Sequence, residues 1–264
     1  MSLEYARLGL IGVLTPQANT TVEPEFGILW PAGVAMINGR LMSAKGGLEE
    51  RLIDYFEQLD QSLVQFANAP VGAIALACTG ASYLAGVAGE QQMIDRLSQR
   101  IGAPFITAGR AVQLALQALG ARRIALVSPY PAALTSASIV YWNALGFEVT
   151  SVVHVGSTDT SFHPIYSISA DGALQGLESL NSLDDAPFDA VVMLGTGMPT
   201  LQPILDRPQV RGAPVMSCML CLGWAAAQTV MQKELSAASL HSWIAGTHWR
   251  ARLEAHQGLQ QASS

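Results

Sequence analysis

Two short segments delimit the chemistry open to this chain: Ala73-Ile74-Ala75-Leu76-Ala77-Cys78-Thr79-Gly80 and Ala190-Val191-Val192-Met193-Leu194-Gly195-Thr196-Gly197. Each is an apolar run closing in x-Thr-Gly, with a thiol at x in the first copy and glycine in the second. A cysteine where a strand hands over to a helix is expected to have a lowered pKa, because it faces the positive end of the helix. Cys78 is therefore the candidate reactive group, against the plain alternative of a small buried packing residue. Such a thiol can add to an activated double bond, give a proton to an enediolate left by loss of carbon dioxide, or attack a carbonyl. Thr79, Gly80, Thr196 and Gly197, with their backbone N–H groups, suit a carboxylate. Tyr130, at another strand end, can stabilise a developing oxyanion with them.

The elements that must position these residues repeat as well. Arg7-Leu8-Gly9-Leu10-Ile11-Gly12-Val13-Leu14-Thr15-Pro16 parallels Arg123-Ile124-Ala125-Leu126-Val127-Ser128-Pro129, and Gly102-Ala103-Pro104 parallels Gly212-Ala213-Pro214. Matches in the same order, half a chain apart, indicate a duplicated unit. Short apolar runs at 7–14, 34–41, 72–77, 104–107, 122–127, 148–155, 190–194 and 214–218 read as strands buried on both faces. Helical patterns separate them, among them one over Leu48–Phe66 with Leu52, Tyr55, Phe56, Leu59 and Leu63 on one face. The expected fold is α/β: two pseudo-symmetric Rossmann-like lobes, each a mostly parallel sheet of about four strands flanked by helices. The first lobe would take 1–112 with 226–264, the second 113–225. In such sheets ligands bind at the carboxyl ends of the strands, so the site belongs in the cleft, where both Thr-Gly turns are expected to open helices.

With 264 residues, half of them hydrophobic and 13% charged, the chain can bury a large core. A net charge of −6 without a basic stripe argues against nucleic acid. No apolar stretch is long enough to span a membrane, no secretory leader is evident, and three cysteines fit a reducing cytoplasm. Cys218 and Cys221 form a lone CxxC, read as packing rather than as a metal site. No GxGxxG follows a strand, which excludes a dinucleotide fold, and no cofactor or metal is expected.

Pro16-Gln17-Ala18-Asn19-Thr20-Thr21-Val22-Glu23, Cys78 and Ser128-Pro129-Tyr130 resemble the aspartate/glutamate racemase superfamily, in the branch of maleate cis–trans isomerases and arylmalonate decarboxylases. The resemblance runs to about residue 231. It implies that Cys78 is the first catalytic cysteine, that Tyr130 is an active-site tyrosine, and that Asn19 contacts the substrate. It also implies a further polar contact near His163, within Ser161-Phe162-His163-Pro164. The place of the second cysteine is taken by Gly195, whereas the decarboxylases of the branch keep their one cysteine in the second lobe. A cysteine installed at 195 is expected to supply a second acid/base, at little steric cost if the backbone angles there are open to a residue other than glycine. The reading is a cofactor-independent isomerase-type enzyme acting on a small (di)carboxylic acid, as in maleate-like cis–trans isomerisation, through the single thiol of Cys78, and it is expected to form a homo-oligomer. Single-cysteine decarboxylation, thiol hydrolysis of an amide or imide, and a non-catalytic acid sensor stay open.

Overall fold

The computed structural model describes residues 3–156, 163–183 and 186–262, with side chains to 258. The first half of the chain runs β1 (Gly9–Pro16), α1 (Val22–Leu29), β2 (Val34–Leu41), α2 (Leu48–Glu57), α3 (Leu59–Ser62), β3 (Ala73–Leu76), α4 (Thr79–Ile101), β4 (Phe105–Thr107) and α5 (Ala108–Ala118). The second runs β5 (Arg123–Ser128), α6 (Ala132–Ala144), β6 (Glu148–His154), α7 (Ala170–Ser182), β7 (Ala190–Met193), α8 (Leu201–Asp206), β8 (Gln209–Val210), β9 (Ala213–Ser217) and α9 (Cys218–Val230). Two further helices follow, α10 (Ala237–Ile244) and α11 (Arg250–Ala262).

The strands lie in two sheets, ordered β2-β1-β3-β4 and β6-β5-β7-β9-β8. Every described pairing is parallel except β8 with β9. Writing β5, β6, β7 and β9 for β1, β2, β3 and β4 turns the first order into the second. The repeat in the sequence is thus a repeat of topology. β3 and β7 are wholly buried, as apolar strands between two helical layers must be. The second sheet's fifth strand was not expected. It arises because Arg211 (φ 52) and Gly212 (φ 83) turn the chain back, pairing Gln209–Val210 with Ala213–Pro214.

The single helix expected over Leu48–Phe66 is instead α2, α3 and a 3-10 turn at Leu63–Phe66. α2 packs on α4, whereas α3 and the turn pack on β2, so Leu59, Leu63 and Phe66 must face another element than Leu52. One straight helix cannot serve both, and it breaks at Gln58. The expected lobe boundary at 225/226 falls inside α9, which packs on α5 and on β1, β3 and β4 of the first sheet. α10 packs on α5 and α9, while α11 reaches α1, where Arg252 donates to the Ile28 (2.6 Å) and Leu29 (3.1 Å) carbonyls.

A buried carboxyl also joins the two halves. Glu25 of α1 accepts the N–H groups of Thr200 (2.7 Å) and Leu201 (3.4 Å) at the start of α8. Thr200 in turn bonds Ser217 at 2.8 Å. Burial pushes Glu25 up from 4.5 to about 7, against the lowering pull of these hydrogen bonds. The folded protein thus holds this proton between pH 4.5 and about 7 while the unfolded chain releases it. Stability from this group is present below pH 4.5 and falls as pH rises through about 7. Glu25→Gln, which mimics the protonated acid, should gain on the parent across that window by on the order of 3 kcal/mol. Denaturant melts of both proteins at several pH values check this; parallel pH curves would refute it.

Candidate active site

The carboxyl ends of β1, β3, β5 and β7 meet at one cleft. Pro16, Cys78–Gly80, Tyr130 and Gly195–Gly197 form its floor and walls, and Leu48, Leu52, His163, Ile165 and Tyr166 cover it. Its empty volume, mouth included, is about 350 Å³, near the lower end for small-molecule clefts.

Cys78 is the residue from which α4 starts, and it is 3% exposed. Burial pushes its thiol up to about 12, and the Ala81 N–H pulls the other way with less effect. The lowered pKa expected from the helix N-terminus is therefore overturned. Removing the thiolate from water costs more than one N–H and the helix dipole return. The resting sulfur is a protonated thiol.

Only part of the expected carboxylate cradle faces the cavity. Thr79 Oγ1 is buried without a partner of normal hydrogen-bond geometry, and it faces the side chains of Tyr130 and Cys218. A buried hydroxyl without a partner is unfavourable until a ligand supplies one. The Thr196 hydroxyl, by contrast, is occupied: it donates to Ala77 O at 2.8 Å and lies 3.4 Å from Asn19 Nδ2. Asn19 Nδ2 also donates to Thr196 O (3.1 Å), and its Oδ1 accepts from Thr21 N (2.9 Å) and Val22 N (3.3 Å). Asn19 thus ties β1's loop to β7's loop and is absent from the cavity lining. Arg40, ion-paired with Glu23, fixes the same loop by donating to Pro16 O (3.3 Å) and Asn19 O (3.0 Å). The second Thr-Gly turn does not open a helix as expected, since α8 begins only at Leu201. Gly197 must instead accept Thr21 Oγ1 at 2.7 Å and pass beneath Tyr166, so the chain continues without helical turns there. Of the two Thr-Gly turns, only the first, at the start of α4, therefore offers a helix dipole to an anion.

Tyr130 lines the cavity and is itself buried, with Tyr83 edge-on to it at 6.1 Å. Burial holds its phenol well above the ordinary range. His163 lies under the cover, stacked on Tyr166 at 4.2 Å. Burial, and then the charge of Arg51, push its pKa down, favouring the neutral ring. Ser161 and Phe162, which precede it, lie outside the described residues. Cys218 is fully buried at the start of α9 and does not line the cavity. Burial raises it to about 11, opposed by Thr79, the Gly195 N–H and Tyr83. Among the described residues no group of three or more His, Cys, Asp and Glu is placed to hold a metal.

Four covering residues, Leu48, Leu52, Ile165 and Tyr166, were missed from the sequence. Leu48 and Leu52 have the helical spacing of core residues, and nothing in it separates a core stripe from a roof. Tyr166 sits three positions after His163 in a loop without periodicity. Its ring lies so close to Gly197 that a Cβ there would collide with it.

A family model described as arylmalonate decarboxylase matches residues 11–241. The maleate isomerase of Geobacillus stearothermophilus is 26% identical over 247 residues, covering 89% of this chain and 93% of that protein. The crystal structure of the maleate isomerase Iso from Pseudomonas putida S16 aligns with a TM-score of 0.74 at 22% identity, covering 88% of this chain and 99% of that one. A cysteine-to-serine mutant of Nocardia farcinica maleate cis–trans isomerase, with a covalently bound succinylcysteine intermediate, aligns at 0.73 and 21% identity, covering 89% and 98%.

Two outcomes follow from the site's geometry. Alkylation of Cys78 by iodoacetamide, followed by peptide mass mapping, should accelerate about tenfold per pH unit between pH 7 and 9, because only the thiolate reacts. A plateau near pH 8.5 would show an ordinary thiol. Gly195 has φ +82, and a Cβ there would lie 3.2 Å from Pro129 Cγ and 3.3 Å from Tyr130 Oη. The condition for cheap installation of a thiol, backbone angles open to a residue other than glycine, is therefore not met. Gly195→Cys should lose about 1 kcal/mol or more of stability, since left-handed backbone disfavours any Cβ. A melt unchanged from the parent would refute this.

Proposed function

The chain belongs to the arylmalonate decarboxylase family, in the branch that includes the maleate cis–trans isomerases, and on that premise we propose that it isomerises a small unsaturated carboxylic acid through a covalent adduct on Cys78. The observation that carries the reading is the placement of one buried thiol at the α4 N-terminus, on the wall of a cavity fit for a small acid. The relative with one cysteine replaced by serine still bears a succinylcysteine, which supports a single thiol as sufficient for the adduct.

The steps follow from this chain's own groups. A carboxylate docks against N–H groups of α4's first turn and the Thr79 hydroxyl, which is buried without a partner. Sulfur adds to one carbon of the double bond, and the π electrons move toward the carboxylate conjugated with it. The adjacent carbon then takes up a proton, and the proton released by the thiol balances it. Net addition of S–H leaves a carbon–carbon single bond that can rotate. Loss of that proton and of the thiolate restores the double bond with the other geometry. Tyr130, beside Thr79 and across from Cys78, is the donor for charge building on the carboxylate oxygens. Neutral His163 and the Tyr166 ring cover the adduct and keep water from it.

Decarboxylation of a malonate-type acid, with Cys78 delivering the proton, is the second reading, favoured by the description of the matching family model. Proton NMR of the enzyme with maleate, and separately with an arylmalonate, distinguishes them. Maleate should pass to the trans acid, and Cys78→Ala should slow this by ~10³-fold or more while melting like the parent. Unchanged maleate beside a decarboxylated arylmalonate would establish the second reading instead.

A further inference from the structure

Tyr166 stands on the walls of two cavities. It covers the Cys78 cavity of about 350 Å³, and it also lines a second one of about 930 Å³, mouth included, between α1, α8 and α11. Among the described residues no other lines both. The ring is half-buried and held by two contacts. His163 stacks on it at 4.2 Å, in a loop tightened where the N–H groups of Tyr166 and Ser167 donate to His163 O at 2.9 and 3.1 Å. The ring also presses on Gly197, where an added Cβ would lie 2.2 Å from Tyr166 Cδ1 and 2.3 Å from Cε1. Glycine at 197 therefore leaves the ring room to close the wall, and a larger residue would push it aside.

The two cavities differ in what they can hold. Cys78, Thr79 and Tyr130 give the first its thiol, hydroxyl and phenol. The second is walled by Ile28, Pro199, Leu201 and Leu253, with Glu25 among them. An alkyl group entering it would bury apolar surface against those side chains. A carboxylate would instead meet the Glu25 carboxyl, whose Oε1 already accepts the N–H groups of Thr200 and Leu201. The space behind Tyr166 thus suits an uncharged group, and the ring shuts it off from the sulfur.

We propose that Tyr166 is a specificity-determining residue whose ring confines the acid to the Cys78 cavity, and that the space behind the ring takes an uncharged alkyl substituent on that acid once the ring is removed. The assignment rests on the acid-binding reading above and adds to it the limit on the ligand's size and the residue that sets it. An acid held in the smaller cavity stays within reach of the sulfur, whereas one with a long side chain is turned away at the ring.

The experiment compares succinate with 2-hexylsuccinate, which share an acid head, by calorimetry and by protection of Cys78 from iodoacetamide. The parent should bind the hexyl acid at least about tenfold more weakly than succinate, because its chain meets the ring. Tyr166→Ala should reverse that order, changing the ratio of the two affinities by about 100-fold or more, since each buried CH2 contributes roughly threefold. Tyr166→Phe keeps the ring and should keep the parent's ratio. Tyr166→Leu, which leaves an apolar side chain on the loop should alanine fail to fold there, should move the ratio part of the way. Adding Ala170→Phe to Tyr166→Ala refills the second cavity and should return the ratio toward the parent's. A parent that already favours the hexyl acid, a ratio unmoved in the alanine and leucine variants, or a gain that survives Ala170→Phe overturns the role of Tyr166 and leaves the acid site standing. A parent that binds neither acid overturns both.

Discussion

Everything at the site depends on a few hydrogen bonds that cross from one sheet to the other. Asn19 and Thr21, after β1, bond the backbone carbonyls of Thr196 and Gly197, after β7, and Thr196 Oγ1 returns to Ala77 at the end of β3. Three strand ends from two separate sheets are thereby held in one geometry, although no strand passes between the sheets. These contacts are buried, where polar groups without partners are costly, so sliding one lobe over the other would break several at once. Arg40 and Glu25 extend the same constraint outward from the loops. The cleft is consequently a fixed part of the fold, and its chemistry can rely on that rigidity.

Within that frame, burial outweighs the helix dipole. Cys78, Cys218, Tyr83, Tyr130 and Tyr166 are all displaced toward their neutral forms, chiefly by loss of water. The resting site is thus almost without charge despite its many ionisable groups. Such a site is well suited to an anionic ligand, because the ligand meets preorganised donors and no competing carboxylate. It also slows reaction of the thiol with oxidants and electrophiles, since burial pushes the Cys78 sulfur up to about 12 and only the thiolate reacts.

Much of this was legible in the sequence because a duplicated unit repeats its turn residues along with its strands. The two Thr-Gly segments located β3, β7 and the cavity wall, and Tyr130 and His163 reach the same cavity. The losses have physical causes. Asn19 reads identically whether it caps a helix, bonds a ligand or ties two lobes, since its amide can do each. Tyr166 and the roof residues are set by contacts between segments far apart in the chain, which periodicity does not record. The break at Gln58 reflects two packing partners at different angles, and a helical pattern carries no information about that. The sign of the shift at Cys78 was misjudged because a local feature, the helix start, is visible in the sequence whereas depth of burial is not.

The absence of a thiol at 195 then has a structural reading beyond the loss of a catalytic group. The left-handed backbone at Gly195 brings its Cα close to the Tyr130 hydroxyl, within 3.3 Å of where a Cβ would stand. A cysteine there would have to displace the phenol or bend the loop. The Tyr130 ring and a second thiol therefore compete for the same few ångströms, and this chain has resolved the competition in favour of the ring. One sulfur then has both to bond carbon and to release the proton that carbon requires. Chemistry that joins these two events, adding S–H across a double bond and removing it again, suits such a site. Chemistry that needs a separate acid and base on opposite faces of one carbon does not.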